Sequence, residues 1–544
     1  MAGYTLSGKI VDLLHDKIFS GVVEIENGVI SSIREKSDVE DQYILPGFID
    51  AHIHIESSML VPSEFARIAV LHGTVATVSD PHEIANVLGM EGVRYMCKNS
   101  QKVPFHFFFG APSCVPATSF ESSGAELTAN DIRTLFEQDK LKYLSEMMNF
   151  PGVLNQDPIV MEKIAIAKEM NKPIDGHAPG LMGDKAKKYI DAGISTDHEC
   201  VTLKEALNKI RCGCKIAIRE GSAAKNYAAL HPLIKQHPES VMFCSDDKHP
   251  DELIHGHINE MVRRSVELGY DVLDVLRAAS LHPIRHYGLD VGLLQKGDSA
   301  DCIVVDNLKD FKIKSTYIRG QKVASEGKSF IESAQVKVIN HFDCSKKNVD
   351  DFSVKASGVK INVIQAIPGE LITKRLILPA KIENGNYVAD PSEDILKLAV
   401  VNRYADAKPS IAFIKGMEIK QGALASSVAH DSHNIVAVGV DDASLCQAIN
   451  AVIDSKGGVS VVEKGEVSLM ALPVAGLMSD KEGWKVAKEY SAIKRQAIKL
   501  GSSLPDPFMT LSFLALLVIP SLKLSDQGLF DADAFTFISL SEIS

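Results

Sequence analysis

The sequence predicts an α/β fold: a (β/α)8 barrel, a small β-sandwich built from the segments flanking it, and a C-terminal α+β domain. Three observations lead there. Between residues 46 and 290, short apolar runs alternate with amphipathic helical stretches, the pattern of βα units. The segments on either side alternate apolar and polar residues with Gly turns, as short antiparallel strands do. Residues able to bind metal recur at the C-terminal ends of the candidate barrel strands, where an α/β barrel keeps its chemistry.

In chain order, residues 1–45 contain "KIVDLLHDKIFSGVVEIENGVISSI", which reads as strands broken by turns. Eight candidate barrel strands follow: "ILPGFIDAHIH", "TVATVSD", "FHFFFGAPS", "KYLSEMMNF", "KPIDGHAPG", "GISTDHE", "KIAIREGS" and "VMFCSDD". Helical stretches such as "IVMEKIAIAKEM", "KEALNKIRC" and "INEMVRRSVELG" separate several of them. Eight such units within 46–290 match the usual length of a (β/α)8 barrel, about 250 residues. Residues 291–335 return to short strands and are expected to complete the sheet begun by 1–45. Residues 345–544 mix β-rich runs ("HNIVAVGVD", "GGVSVVEKGEVSLMALP") with helices ("WKVAKEYSAIKRQAIKLG").

Composition narrows the classes. A chain of 544 residues has the length for two or three domains and a large core. Its net charge of −12 argues against binding nucleic acid or anionic membranes without specificity. The nine cysteines are scattered, which does not suggest a disulfide framework and fits a reducing cytoplasm. The N-terminus has no signal-peptide pattern. The apolar run "FMTLSFLALLVIP" is too short to span a bilayer.

The metal reading starts from "PGFIDAHIHIESSM". His52 and His54 are two residues apart at the end of an apolar strand, so their side chains share one face. Strand four offers Glu146, strand five His177, strand six His198 and strand eight Asp246. Singly, a strand-end His is more often a hydrogen-bonded structural residue than a ligand, and an Asp there more often a helix cap. At successive strand tops of one barrel their side chains converge. Four His and two carboxylates exceed what one tetrahedral ion needs and suit two divalent ions bridged by a carboxylate. Such a pair can lower the pKa of a shared water enough to give hydroxide near neutral pH. Imidazole and carboxylate without thiolate are compatible with Mn²⁺, Fe²⁺ or Zn²⁺.

"PGFIDAHIHIE", the His on strands five and six, the Asp on strand eight and "GLLQKGDSADCIVVD" resemble the amidohydrolase superfamily. The resemblance implies a barrel of amidohydrolase type beside a small β-sandwich. Many binuclear members bridge their metals with a carboxylated Lys on strand four; this chain departs from that and offers Glu146. A larger set is similar to the bacterial adenine deaminase family over essentially the whole chain: "AHIHIESSML", "VSDPHEIANVLG", "EMMNFPGVL", "DGHAPGL", "TDHE", "IREGSAAKN", "CSDDKHPDEL", "NRY" and "VAHDSHN". It implies hydrolysis of adenine to hypoxanthine and ammonia in purine salvage, at a binuclear Mn²⁺ or Fe²⁺ centre.

On that basis a metal-activated hydroxide attacks C6 of adenine, and Asp246 is the expected general base, relaying the proton to the leaving amine. Glu146 is the expected bridge. The ring needs a donor at N1; His82, Arg219 and Ser113 are candidates, and His82 reads equally as a structural residue. Arg219, Glu220 and Ser222 of "REGSAAKN" either surround the purine edge or form a salt bridge and a helix cap. Asp247 either contacts the purine, orients a ligand or caps a turn. Phe107 to Phe109 read as core. His430, Asp431 and His433 of "VAHDSHN" either close over the barrel mouth or form a polar turn. The expected partners are a small purine and, in a homo-oligomer of two or more chains, further copies of the protein. Two other functions stand beside this one. A second amidohydrolase reaction, on a cyclic amide or an N-acyl amino acid, uses the same ligands. A catalytically inactive barrel scaffold typically loses them. A cytidine-deaminase-like site needs P-C-x-x-C, which the chain lacks.

Overall fold

The computed structural model describes residues 3–541. Four N-terminal strands, β1 (Tyr4–Asp12), β2 (Lys17–Glu26), β3 (Val29–Glu35) and β4 (Tyr43–Pro46), lead into the barrel. β1 and β2 pair antiparallel over their whole length, and β4 joins β1 in parallel. Four later strands, whose ranges follow the barrel's, complete the same eight-stranded sheet.

The barrel strands are β5 (Phe48–His54), β6 (Thr74–Ser79), β7 (His106–Phe109), β8 (Leu144–Met147), β9 (Ile174–Gly176), β10 (Thr196–Asp197), β11 (Lys215–Arg219) and β12 (Val241–Cys244). The chain resumes extended pairing at β13 (Asp246–Asp247), which lies parallel to β5 and closes the ring. Every residue of β5 is buried, as expected of a parallel strand covered on both faces. The intervening helices carry their own start signals. Asp157 caps the helix Pro158–Glu169 by accepting the amides of Ile159 and Val160, and Thr202 caps Leu203–Arg211 through the amide of Glu205. After the barrel, β14 (Cys302–Val305), β15 (Ile313–Ile318), β16 (Gln321–Ser325) and β17 (Lys328–Ser329) follow. β14 pairs with β4, so the two ends of the barrel segment meet in one sheet of order β17-β16-β15-β14-β4-β1-β2-β3.

The C-terminal region is built on a second eight-stranded sheet, with Leu396–Val401 and Ile435–Gly439 among its central strands. The helix Asp442–Asp454 covers one face of it through Leu445, Ile449 and Val452. This region lies against the top of the barrel. Lys494 pairs with Asp251, His249 Nδ1 lies 3.1 Å from Asp506, and Ser122 donates its amide to Asp526 at 2.9 Å. Among the described residues no helix is long and apolar enough to cross a membrane.

Candidate metal centre and active site

The barrel brings six side chains to one point. His54 Nε2 lies 3.2 Å from His52 Nε2, 3.1 Å from Asp246 Oδ1 and 3.2 Å from Glu146 Oε1. On the other side, Glu146 Oε2 lies 2.6 Å from His177 Nδ1 and 3.2 Å from His198 Nε2. The two oxygens of one carboxylate thus face two sets of imidazoles. All six residues are buried.

Local structure explains each placement. His52 and His54 alternate with Ala51 and Ile53 along β5 and share a face. Asp246 takes a left-handed φ of 56° at the start of β13, a conformation that Asp tolerates better than most residues. The turn sends two consecutive acids to different partners: Asp246 to the His cluster, and Asp247 to the hydroxyl of Ser57 at 2.5 Å. Gly221 permits the close approach of the β11 loop, because a Cβ there would sit 2.2 Å from the carbonyl oxygen of Ser245.

The charges are heavily compensated. Burial resists ionisation of Glu146, but His177 and His198 outweigh it and hold the carboxyl well below its ordinary range. Burial likewise resists ionisation of Asp246, and Arg219 overcomes it. Arg219 Nη1 donates to both Glu199 and Asp246.

These donors suit divalent metal. They are imidazoles and carboxylates without thiolate, in overlapping groups whose ligand atoms lie within 4.8 Å of one another. His54 donates its Nδ1–H to the carbonyl of Asp80 at 3.1 Å, which leaves Nε2 as the ligand atom. His177 Nε2 is buried with no hydrogen-bond partner. His52, His54, Glu146 and Asp246 could hold one ion, and Glu146, His177 and His198 a second.

The remaining candidates separate. His82 lines the cavity above these donors, its Nδ1 3.0 Å from Asp80 Oδ2 and 3.5 Å from Glu146 Oε1. Asp247 and Arg219 also line it. Glu220 does not: its carboxylate accepts from Arg264 at 2.6 Å, which is the salt bridge of its two expected readings and not the purine edge. Ser113 is likewise committed elsewhere, its hydroxyl donating to the Glu146 carbonyl at 2.5 Å, so it supports β8 rather than facing the cavity. Ser222 starts no helix, the next beginning at Tyr227; its hydroxyl accepts the amide of His249. Phe108 and Phe109 are buried in the core.

Three acids at the site went unnoticed in the sequence, Asp80, Glu83 and Glu199, whereas Asp431 of the "VAHDSHN" loop does line the cavity. Glu83 and Glu199 follow directly on His82 and His198, and that adjacency was the available signal. Glu83 reaches across to the C-terminal region, where His430 Nδ1 and His433 Nε2 both contact its carboxylate. Burial opposes charge on His430, but Glu83 beside it lifts the imidazole to about 9.

The cavity is walled on its outer side by Leu371, Phe513, Leu516 and Ile519. Its open space is about 30 Å³, roughly the share of one water. Leu371 and Ile519 also line a neighbouring cavity of about 510 Å³, together with Phe150, Val518 and Pro520. Glu199 and Arg219 line both cavities as well, so the donor cluster and the larger space share a wall of two apolar and two charged residues.

The chain resembles known proteins along nearly all of its length. Residues 43–323 match the family described as the amidohydrolase family, and residues 370–536 match the adenine deaminase C-terminal domain. An adenine deaminase of Salinibacter ruber is 53% identical over 539 residues, covering 99% of each chain. One of a Sulfurovum species is 54% identical, covering 98% of this chain and 99% of its own. Among solved structures, a beta-aspartyl dipeptidase of Fervidobacterium islandicum aligns over 61% of this chain and all of its own, at 16% identity and a TM-score of 0.46.

Proposed function

The chain belongs to the amidohydrolase family and, within it, to the adenine deaminases, and from this we propose that it hydrolyses adenine to hypoxanthine and ammonia in purine salvage. The observation that supports this most directly is the split of the Glu146 carboxylate between two sets of imidazoles beneath an apolar-walled cavity. An apolar slot with a few fixed polar groups suits a planar base.

Membership of the family implies a divalent metal centre. We infer that His52, His54, Glu146, His177, His198 and Asp246 would hold it, the Glu146 carboxylate serving both ions, and that the metal would be Mn²⁺ or Fe²⁺, with Zn²⁺ compatible. When bound, such ions lower the pKa of a coordinated water so that hydroxide is available near neutral pH.

The chain's own residues supply proton transfer and orientation. Asp246 is the general base: Arg219 fixes Oδ2 and keeps the carboxylate ionised, while Oδ1 faces the His cluster. It takes the proton of the attacking water and delivers it to the departing amine. His82 is the donor at N1 of the ring. Asp80 holds its Nδ1, which leaves Nε2 towards the cavity. Of the other two candidate donors, Ser113 is committed to the Glu146 carbonyl and Arg219 Nη1 to two carboxylates. Asp247 shapes the floor beside the metal ligands. The same reading puts the enzyme in the cytoplasm, as a homo-oligomer of two or more chains.

The test follows adenine loss and ammonia release by purified protein, before and after chelation and after reconstitution with Mn²⁺ or Fe²⁺. Metal-dependent formation of hypoxanthine is expected. A metal-loaded protein inert on adenine would refute the substrate and direct attention to cyclic amides and other aminated heterocycles.

A further inference from the structure

Three polar atoms in the walls of the catalytic cavity are buried without a hydrogen-bond partner: His177 Nε2, Arg219 Nη2 and Asp431 Oδ2. Two are nitrogens, one on a metal-ligand candidate and one on a guanidinium. Asp431 Oδ2 alone is a carboxylate oxygen. A buried acceptor left unpaired costs free energy comparable to a lost hydrogen bond, so its retention calls for a partner that arrives with a ligand.

Asp431 does not belong to the barrel. It is carried into the barrel mouth by the C-terminal loop that contains His430 and His433. Both imidazoles hold Glu83 of the barrel, so Asp431 lies between two anchors. Its other oxygen, Oδ1, lies 3.5 Å from His82 Nε2, and the opposite ring nitrogen of His82 lies 3.5 Å from Glu146 Oε1. Asp431 thus stands one imidazole ring beyond the metal-ligand cluster. A purine with its six-membered ring at that cluster directs its five-membered ring away from it. The free base carries an N–H there; a nucleoside carries a sugar instead.

We propose that Asp431 is a substrate-binding and specificity-determining residue, whose carboxylate accepts the imidazole-ring N–H of the free purine base and so selects adenine over purines substituted at N9. The proposal rests on adenine deamination as the reaction of this site. It gives the C-terminal domain a direct part in recognition, with the His430–Glu83–His433 contact holding the recognising carboxylate in place.

The experiment measures kcat and KM for adenine and for 9-methyladenine, which lacks that N–H, with metal-loaded wild type, Asp431→Ala and the near-isosteric Asp431→Asn. Metal content is measured alongside. Wild type should strongly prefer adenine. Loss of a charge-assisted hydrogen bond in Asp431→Ala should lower kcat/KM for adenine about 10- to 100-fold, chiefly through KM and with metal content unchanged. The activity on 9-methyladenine should hold or rise, so that the preference falls by at least about tenfold. Asp431→Asn keeps the shape and should fall between the two, and it serves alone if the alanine variant does not fold. A preference unchanged in a folded, metal-loaded variant would overturn the proposal, as would loss of metal from both variants, which would place Asp431 in support of the metal ligands. Wild type inert on adenine would overturn the underlying reaction as well, and that result is seen before any variant is made.

Discussion

Replacing Arg219 with Met removes the guanidinium that donates to both Glu199 and Asp246. Arg219 is 2% exposed, and the two carboxylates are each 4% exposed. Its Nη1 donates to both, and its Nε donates to the carbonyl of Ala224 at 3.0 Å. Met fills most of the volume, so the cost is mainly electrostatic. Removing one partner of a buried ion pair costs about 3–5 kcal/mol, because the remaining charge stays buried and unpaired. Here two carboxylates lose one partner but keep imidazoles nearby, His54 and His198 beside Asp246 and His177 and His198 beside Glu199, which puts the expected loss towards the lower figure in metal-free protein. At about 2–4 °C per kcal/mol for a domain of this size, Tm falls by about 6–20 °C. If Asp246 ligates metal as proposed, the ion would supply positive charge in place of Arg219, so the loss should shrink in the loaded protein. The assay is thermal unfolding of wild type and Arg219→Met, each stripped with chelator and each reloaded. A stripped variant melting within about 2 °C of stripped wild type, under about 1 kcal/mol, would refute the claim that Arg219 compensates these buried charges.

Other perturbations separate the roles of neighbouring groups. Glu146→Gln should weaken retention of one metal equivalent, read by elemental analysis after dialysis. Asp246→Asn should lower kcat by about 10²–10⁴-fold while much of the metal stays bound, as loss of a general base does; normal turnover in both variants would defeat the ligand and base assignments. Asp80→Ala should reduce kcat through His82, and an unchanged kcat would remove His82 from proton transfer. Lys523 is fully buried and donates to the carbonyls of Leu371 and Phe513, two residues of the cavity wall. Burial pushes its amine down from 10.5 to about 7. Unfolding therefore takes up a proton between these values, and the parent gains stability as pH rises across that window. The stability of Lys523→Met relative to the parent should be highest below about pH 7 and fall towards about pH 10; a flat difference in Tm would show that no buried charge is relieved.

The candidate metal ligands were legible in the sequence because local rules place them. The two-residue period of a strand puts His52 and His54 on one face, and the βα rhythm puts Glu146, His177, His198 and Asp246 at the ends of later strands. Type and position within a repeating unit suffice to suggest that such residues converge. The adenine deaminase resemblance was readable in the same way, from short strings that each sit at a strand top.

Residues whose partners lie far along the chain were not legible. Glu220 and Arg219 are neighbours in one motif, yet packing gives Glu220 to Arg264, 44 residues away, and Arg219 to Asp246. Glu83 sits in the first turn of the helix His82–Leu88, and its partner His430 lies 347 residues later. The pairing depends on how the C-terminal sheet docks on the barrel, through contacts such as those of Lys494 and His249. By itself the sequence determined which side chains a barrel of this kind presents at its mouth, because strand periodicity is local. Only the tertiary structure decided which of them face the cavity, which are occupied by one another, and that a loop from another domain supplies Asp431, because those outcomes depend on non-local packing and on how buried charges find their partners.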